Sequence, residues 1–160
     1  MAESVHTQFL EEAQARIRAL KLPGLDSDMV QVREAPFNDK NLFEGVSLFQ
    51  ANENYSAPFG QPVNAEDIGY HCGVSMVRKR SGASRGHVDR PMEWRIPIRR
   101  EFLQKRMTTP APVGEVNIIS TVHKWAGPAL PKGGEFKDPS HLLVEFLLVI
   151  FWTRALRNSA

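Results

Sequence analysis

Five histidines, one cysteine and a dense run of arginines are the side chains of this 160-residue chain from which chemistry could be built. His6, His71, His87, His123 and His141 never fall at the i, i+4 spacing that lets two imidazoles on one helix share a metal ion. His87 and Asp89 come nearest to a ligand pair. A two-residue spacing in a polar stretch has little motif specificity, so no metal site is expected. Cys72 follows His71, the residue types of a thiol nucleophile and its base, yet neighbours on a strand point to opposite faces. Cys72 is therefore expected to be a small buried apolar residue. Residues 127–134, GPALPKGG, lack the Gly-Lys-Ser/Thr ending of a phosphate-binding loop, and their prolines remove amides such a loop would use. Neither a catalytic residue nor a cofactor is expected.

The arginines are the stronger signal. Arg78, Lys79, Arg80, Arg85, Arg90, Arg95, Arg99, Arg100, Lys105 and Arg106 stand against only Asp89, Glu93 and Glu101, so residues 78–106 carry +7 within a chain whose net charge is +2. Clustered cations create a local positive field that suits DNA phosphates or an acidic protein surface. Arg78, Lys79, Arg80, Arg85, Arg90, Arg95, Arg99 and Arg100 are the candidate interface or DNA-facing residues. The aromatics here, Trp94 and Phe102, belong to an apolar stripe instead of a stacking platform, and no helix-turn-helix or zinc-finger spacing occurs. Sequence-specific DNA binding is not expected, whereas non-specific contact needs only the charges.

These residues must be held by a sheet and two helices. Residues 4–21 place Val5, Phe9, Ala13, Ile17 and Leu20 on one helical stripe, stopped by Pro23-Gly24. Residues 29–34 alternate as a short strand that Pro36 ends or confines to an edge, and a second short strand is expected at 46–50. Residues 69–78 alternate clearly, with Tyr70, Cys72, Val74 and Met76 on one face and His71, Gly73 and Ser75 on the other. Trp94, Ile98 and Phe102 argue for a second helix over roughly 91–107, which Pro97 must either kink or delay until about Ile96. Val116, Ile118 and Val122 mark a fourth strand, and residues 142–154 a fifth. Asn, Gly, Pro and Ser concentrate at 51–67, 81–90 and 126–139, which are expected to be long mobile loops. The expected fold is α+β: one domain with a mostly antiparallel sheet of four to five strands packed against two helices, with long Pro/Gly-rich loops.

The fifth strand is apolar on both faces. Leu142, Val144, Phe146, Leu148, Ile150 and Trp152 line one side, and Leu147, Val149 and Phe151 the other. Two helices cover one side of a sheet, so the second side needs either a partner subunit or the long loops. Leu147, Val149 and Phe151 are the candidate subunit interface. Composition limits the rest. Apolar residues at 42% and charged residues at 24% are those of a folded globular chain, and a single cysteine forms no intramolecular disulfide. Residues 142–152 are too short and too interrupted by Glu145 to cross a bilayer, and residues 1–10 are polar where a signal peptide needs an apolar stretch. Neither membrane insertion nor export by that route is expected.

The layout resembles the tail terminator and related neck proteins of long-tailed bacteriophages. The likeness rests on a helix leading through Leu22-Pro23-Gly24 into Val30-Gln31-Val32, the strand from Tyr70 to Val77, the basic helix containing Trp94-Arg95-Ile96-Pro97-Ile98-Arg99-Arg100, and two closing strands. Pro97 and the long apolar final strand depart from that pattern. The resemblance implies a virion protein that assembles in the host cytoplasm into a ring, a hexamer by family analogy, capping the tail tube and joining it to the head. Its implied partners are further copies of itself, the tail tube protein and a head-to-tail connector protein, with non-specific contact to passing DNA; it implies no catalytic residues. The alternative reading is a small nucleic-acid-binding protein using residues 78–106.

Overall fold

The computed structural model describes residues 4–33, 44–56, 65–79, 86–129 and 142–156; side chains are described for these except at 56, 79, 86–92, 124–129, 142–144 and 156. Ser4 opens the first helix, α1 (Val5–Ala19), its hydroxyl oxygen accepting from the Thr7 amide at 3.1 Å. Phe9, Ala13 and Ile17, the stripe read from their spacing, are buried together with Leu10. A turn with Lys21 and Gly24 at positive φ then leads to a 3-10 turn and the four-residue strand β1 (Val30–Arg33). Gly24 supplies the left-handed conformation without steric cost.

Strands β2 (Gly45–Ser56) and β3 (Ala65–Lys79) form an antiparallel hairpin, and helix α2 (Gly86–Phe102) leads to a second one, β4 (Glu115–Ala129) with β5 (Leu142–Leu156). The spatial order is β1-β2-β3-β5-β4, with β1 parallel to β2 and every other pair antiparallel. The chain is thus an α+β protein with a five-stranded mixed sheet and two helices. Both helices contribute to one core, where Phe9, Leu10, Ala13 and Ile17 of α1 and Trp94, Ile98 and Phe102 of α2 meet Leu48, Tyr70, Cys72, Val74, Leu147, Val149 and Phe151. Full burial of a large apolar side chain is worth about 1.5–3 kcal/mol, so these residues dominate the favourable energy of docking helices on sheet.

Several boundaries differ from the sequence expectations. Residues 51–56 and 65–67 are strand instead of loop, because long hairpins let backbone ladders offset poor local propensity. The β4 ladder likewise continues through Gly127 and Pro128 to Ala129, with register shifts that absorb the irregular residues. Helix α2 starts at Gly86 and ends at Phe102, about five residues earlier than expected, and passes through Pro97. A proline inside a helix costs about 3 kcal/mol. Burial of Trp94, Ile98 and Phe102 on the same helix offsets it. The remainder of the expected loops, at 57–64, 81–85 and 130–139, lies outside the described residues.

The end of α2 is tied to β4. Gln104 N–H donates to the Ser120 carbonyl at 2.9 Å and Ser120 N–H to that of Lys105 at 2.6 Å, while the Ser120 hydroxyl donates to the Phe102 carbonyl left open by the helix end. Glu12 on α1 clamps the following turn by accepting from the Thr108 amide at 3.0 Å and hydroxyl at 2.8 Å, and from the Thr109 amide.

Candidate functional site

The basic segment does not present a continuous surface of free cations. Arg78 is 3% exposed, its guanidinium 4.2 Å over the Trp94 ring and 2.6 Å from the Glu93 carboxylate. Trp94 is held in turn by donating its indole N–H to the Pro23 carbonyl at 2.7 Å. Arg95 pairs at 2.7 Å with Glu145, a carboxylate on β5 that is itself buried. Glu145 lies opposite Met76 in the β3–β5 register, which puts it beneath α2. These observations correct the expectation that Arg78 and Arg95 face DNA or another protein: both are counter-charges and packing groups inside the fold. Arg99 and Arg100 are exposed in the last turn of α2, where the helix dipole favours cations. Lys79 and Arg90 sit on β3 and α2 with side chains outside the described set, and Arg80 and Arg85 lie outside the described residues.

The expected subunit interface is corrected too. Leu147, Val149 and Phe151 are 0%, 1% and 1% exposed. Phe151 packs at 5.4 Å from Phe9 and 6.0 Å from Phe102, ring centre to ring centre. They face the chain's own helices. The sheet face away from the helices instead carries Phe146, Leu148, Ile150 and Trp152 from β5, opposite Ser75, Gly73, His71 and Gly69 of β3. Phe49 of β2 lies over Gly73, where an added Cβ would come within 2.3 Å of its ring, and Ile150 and Trp152 crowd Gly69 in the same way. Small residues on β3 thus accept large ones from its neighbours. Ser47, Phe49, Val77 and Ile150 on this side are buried, whereas Phe146, Leu148 and Trp152 are half-buried. Trp152 donates its indole N–H to the Thr121 hydroxyl at 2.9 Å. The signal for this layer was present in the Gly69, His71, Gly73, Ser75 side of β3, which is too small to form a core by itself.

The titratable groups are structural in their surroundings. Burial pushes the Cys72 thiol well above its ordinary range, which keeps it protonated. His71 points to the other face and is shifted down by desolvation, then by the neighbouring imidazoles of His123 and His6. His6 is buried in α1, its Nε2–H donating to the His71 carbonyl at 2.8 Å, with Nδ1 3.9 Å from Glu53. Burial, followed by the negative Glu115, raises Tyr70, whose hydroxyl donates to Glu115 at 3.0 Å. Among the described residues no three His, Cys, Asp or Glu side chains converge as a metal site, and no helix is long and apolar enough to cross a membrane.

The two edges of the sheet remain. On one side β1 pairs only with residues Val46 to Phe49, and β2 runs on through Ser56 with Ala51 to Tyr55 exposed. A cavity of about 330 Å³ opens where β1 stops, lined by Thr7, Leu10, Val32, Arg33 and Gln50. On the other side, β4 is joined to the segment after α2 at Ser120, and Arg106 Nε–H reaches the Ile118 carbonyl at 3.4 Å. From residue 121 to 129 no backbone bond to the outer edge of β4 is formed among the described residues. No protein-family model and no curated protein matches the chain.

Proposed function

We propose that the protein is a structural, self-associating ring component of the head-to-tail junction of a long-tailed bacteriophage, capping the tail tube and joining it to the connector on the head. The observation that carries this reading is the one-sided sheet: both helices pack on the same face, and half-buried Phe146, Leu148 and Trp152 lie on the other. Apolar side chains left partly open to solvent on a face without helices suit association with a further subunit. The element order of one helix, three strands, one helix and two strands is the layout on which the resemblance rests, and it supports the same reading. Nothing in the role requires catalysis. A protein of this kind works by shape, by the surfaces it offers to copies of itself, and by those it offers to the tube and the connector.

Sizing of the purified protein, negative-stain imaging, and assembly with tail tubes test the proposal. Rings alone or on tube ends are expected. A monomer at every concentration that also ignores tubes and connectors would overturn it. Nucleic-acid binding is the weaker reading, because two of its proposed contacts, Arg78 and Arg95, are engaged with Glu93 and Glu145.

A further inference from the structure

The two sheet edges are unlike one another, and each carries a stretch that the described residues leave without a neighbouring strand. On the β2 side this is residues 50–56, past the end of β1; on the β4 side it is residues 121–129, past the bonds to Gln104 and Lys105. We propose that copies of the chain join edge to edge, residues 50–56 of one copy pairing with residues 121–129 of the next.

Four features of the fold favour a second copy as the occupant. Three antiparallel steps separate β2 from β4, so the strands run in opposite directions, and a lateral repeat of the sheet brings them together antiparallel. That arrangement gives the more stable ladder. Neither stretch brings like charges to the seam, since Glu53 is the one charged residue at 50–56 and Lys124 the one Lys, Arg, Asp or Glu at 121–129. The stretches also lie in opposite halves of the sheet. Gln50 through Ser56 follow β3 from Cys72 to Asp67, whereas Thr121 to Ala129 follow β5 from Ile150 to Val144. Neighbouring copies therefore join with a stagger along the strands, the kind of offset that a sheet closing on itself requires. Finally, the cavity lined by Thr7, Leu10, Val32, Arg33 and Gln50 lies beside the start of the β2 stretch, under α1.

Because the two edges differ, the contact is heterologous, and repeating it closes a ring or extends a filament; it does not stop at a two-fold dimer. The inference rests on the ring reading above and specifies which surfaces make the ring.

Cysteine cross-linking tests it cleanly, since the native Cys72 is buried and protonated. Asn54 and Thr121 both lie on the face away from the helices, and partners in an antiparallel ladder are about 4.5–5.5 Å apart between Cα atoms, within reach of a disulfide. Asn52→Cys and Asn54→Cys would each be combined with Thr121→Cys or His123→Cys, four double variants that scan the register. After mild oxidation at least one is expected to give a covalent ladder ending at the ring size, while each single variant alone gives none, and mixing two complementary singles gives dimers. An oligomer in which none of the four pairs cross-links, or in which Asn54→Cys alone forms dimers, overturns this interface and leaves the ring reading standing. Cross-linking of Asn54→Cys only to added tail tube protein overturns the second copy as occupant. A monomer at all concentrations with no cross-link overturns both.

Discussion

With 3% of its surface exposed, Arg78 cannot meet a phosphate while its guanidinium lies on Trp94 and against Glu93. Breaking a buried charge pair by removing one partner costs roughly 3–5 kcal/mol, and exposed surface changes stay within about 0.5 kcal/mol. Arg95→Ala, which removes the guanidinium 2.7 Å from the buried Glu145, is therefore expected to lower the urea midpoint strongly, and Arg99→Ala to leave it almost unchanged. Equal effects in urea unfolding would contradict the assignment of Arg95 to the fold. If the protein has weak affinity for duplex DNA, the double variant Arg99→Ala/Arg100→Ala should flatten its salt dependence by at most about two phosphate contacts, and Arg78→Lys should leave that slope unchanged. Filter-binding across a salt series distinguishes the two. Glu12 supplies a pH prediction. Burial pushes its carboxyl up, but the hydrogen bonds from Thr109 and Thr108 outweigh that effect and bring it from 4.5 down to about 2. A carboxyl depressed in the folded state stabilises fully above its unfolded pKa, and that contribution disappears as the pH falls through the folded value. Wild-type stability should accordingly fall between about pH 4.5 and 2, and Glu12→Gln should be less stable at neutral pH with a shallower acid limb in that window. Urea titrations at stepped pH check this.

At the scale of elements, the periodicities of α1, β3 and β5 were legible because they are local: side chains three or four apart share a helix face, and alternate residues share a strand face. The ends of β2 and β4 were not, because Asn-rich and Gly-Pro stretches become strand only through the ladder of a neighbour beyond the reach of local patterning, as Ser56 pairs with Asp67 and Ala129 with Val144. A register shift between Gln50 and Glu53 adds a further step invisible to alternation, moving odd-numbered Glu53 and Tyr55 onto the face that even-numbered Val46 and Leu48 occupy earlier in the same strand. The glycines of β3 carry the prediction at this scale. Gly73→Ala places a methyl group inside the Phe49 ring, whose own position is fixed against Phe146 at 5.8 Å. Overpacking of this kind costs about 1–3 kcal/mol. Combining it with Phe49→Leu should be less damaging than the sum of the two single changes, which a double-mutant cycle in urea measures. Strict additivity would mean that the two residues do not meet.

Across the whole molecule, the choice of faces decides how the chain presents itself. The composition of β5 announced apolar residues on both faces, and the strand lies inside the sheet between β3 and β4. Which side the helices would take was a matter of tertiary arrangement, and they take Leu147, Val149 and Phe151, leaving the Phe146, Leu148 and Trp152 side half-covered. Native maleimide labelling provides a global check on this packing: Cys72, buried between α1, α2 and the sheet with a thiol pushed up by burial, should react only on unfolding. Rapid labelling of the folded protein would contradict the packing of both helices on that face. The amino-acid sequence by itself determined the number of helices, the strands with strong alternation, the α+β class and the local charge of residues 78–106, since all of these depend on neighbours a few residues apart. Only the tertiary structure decided which face of β5 is inside, which arginines are counter-charges and which edge stretches the described residues leave without a strand. Those outcomes depend on register between segments distant in the chain, as when Met76 is set opposite Glu145 and the Arg95 guanidinium is drawn to a carboxylate fifty residues further on.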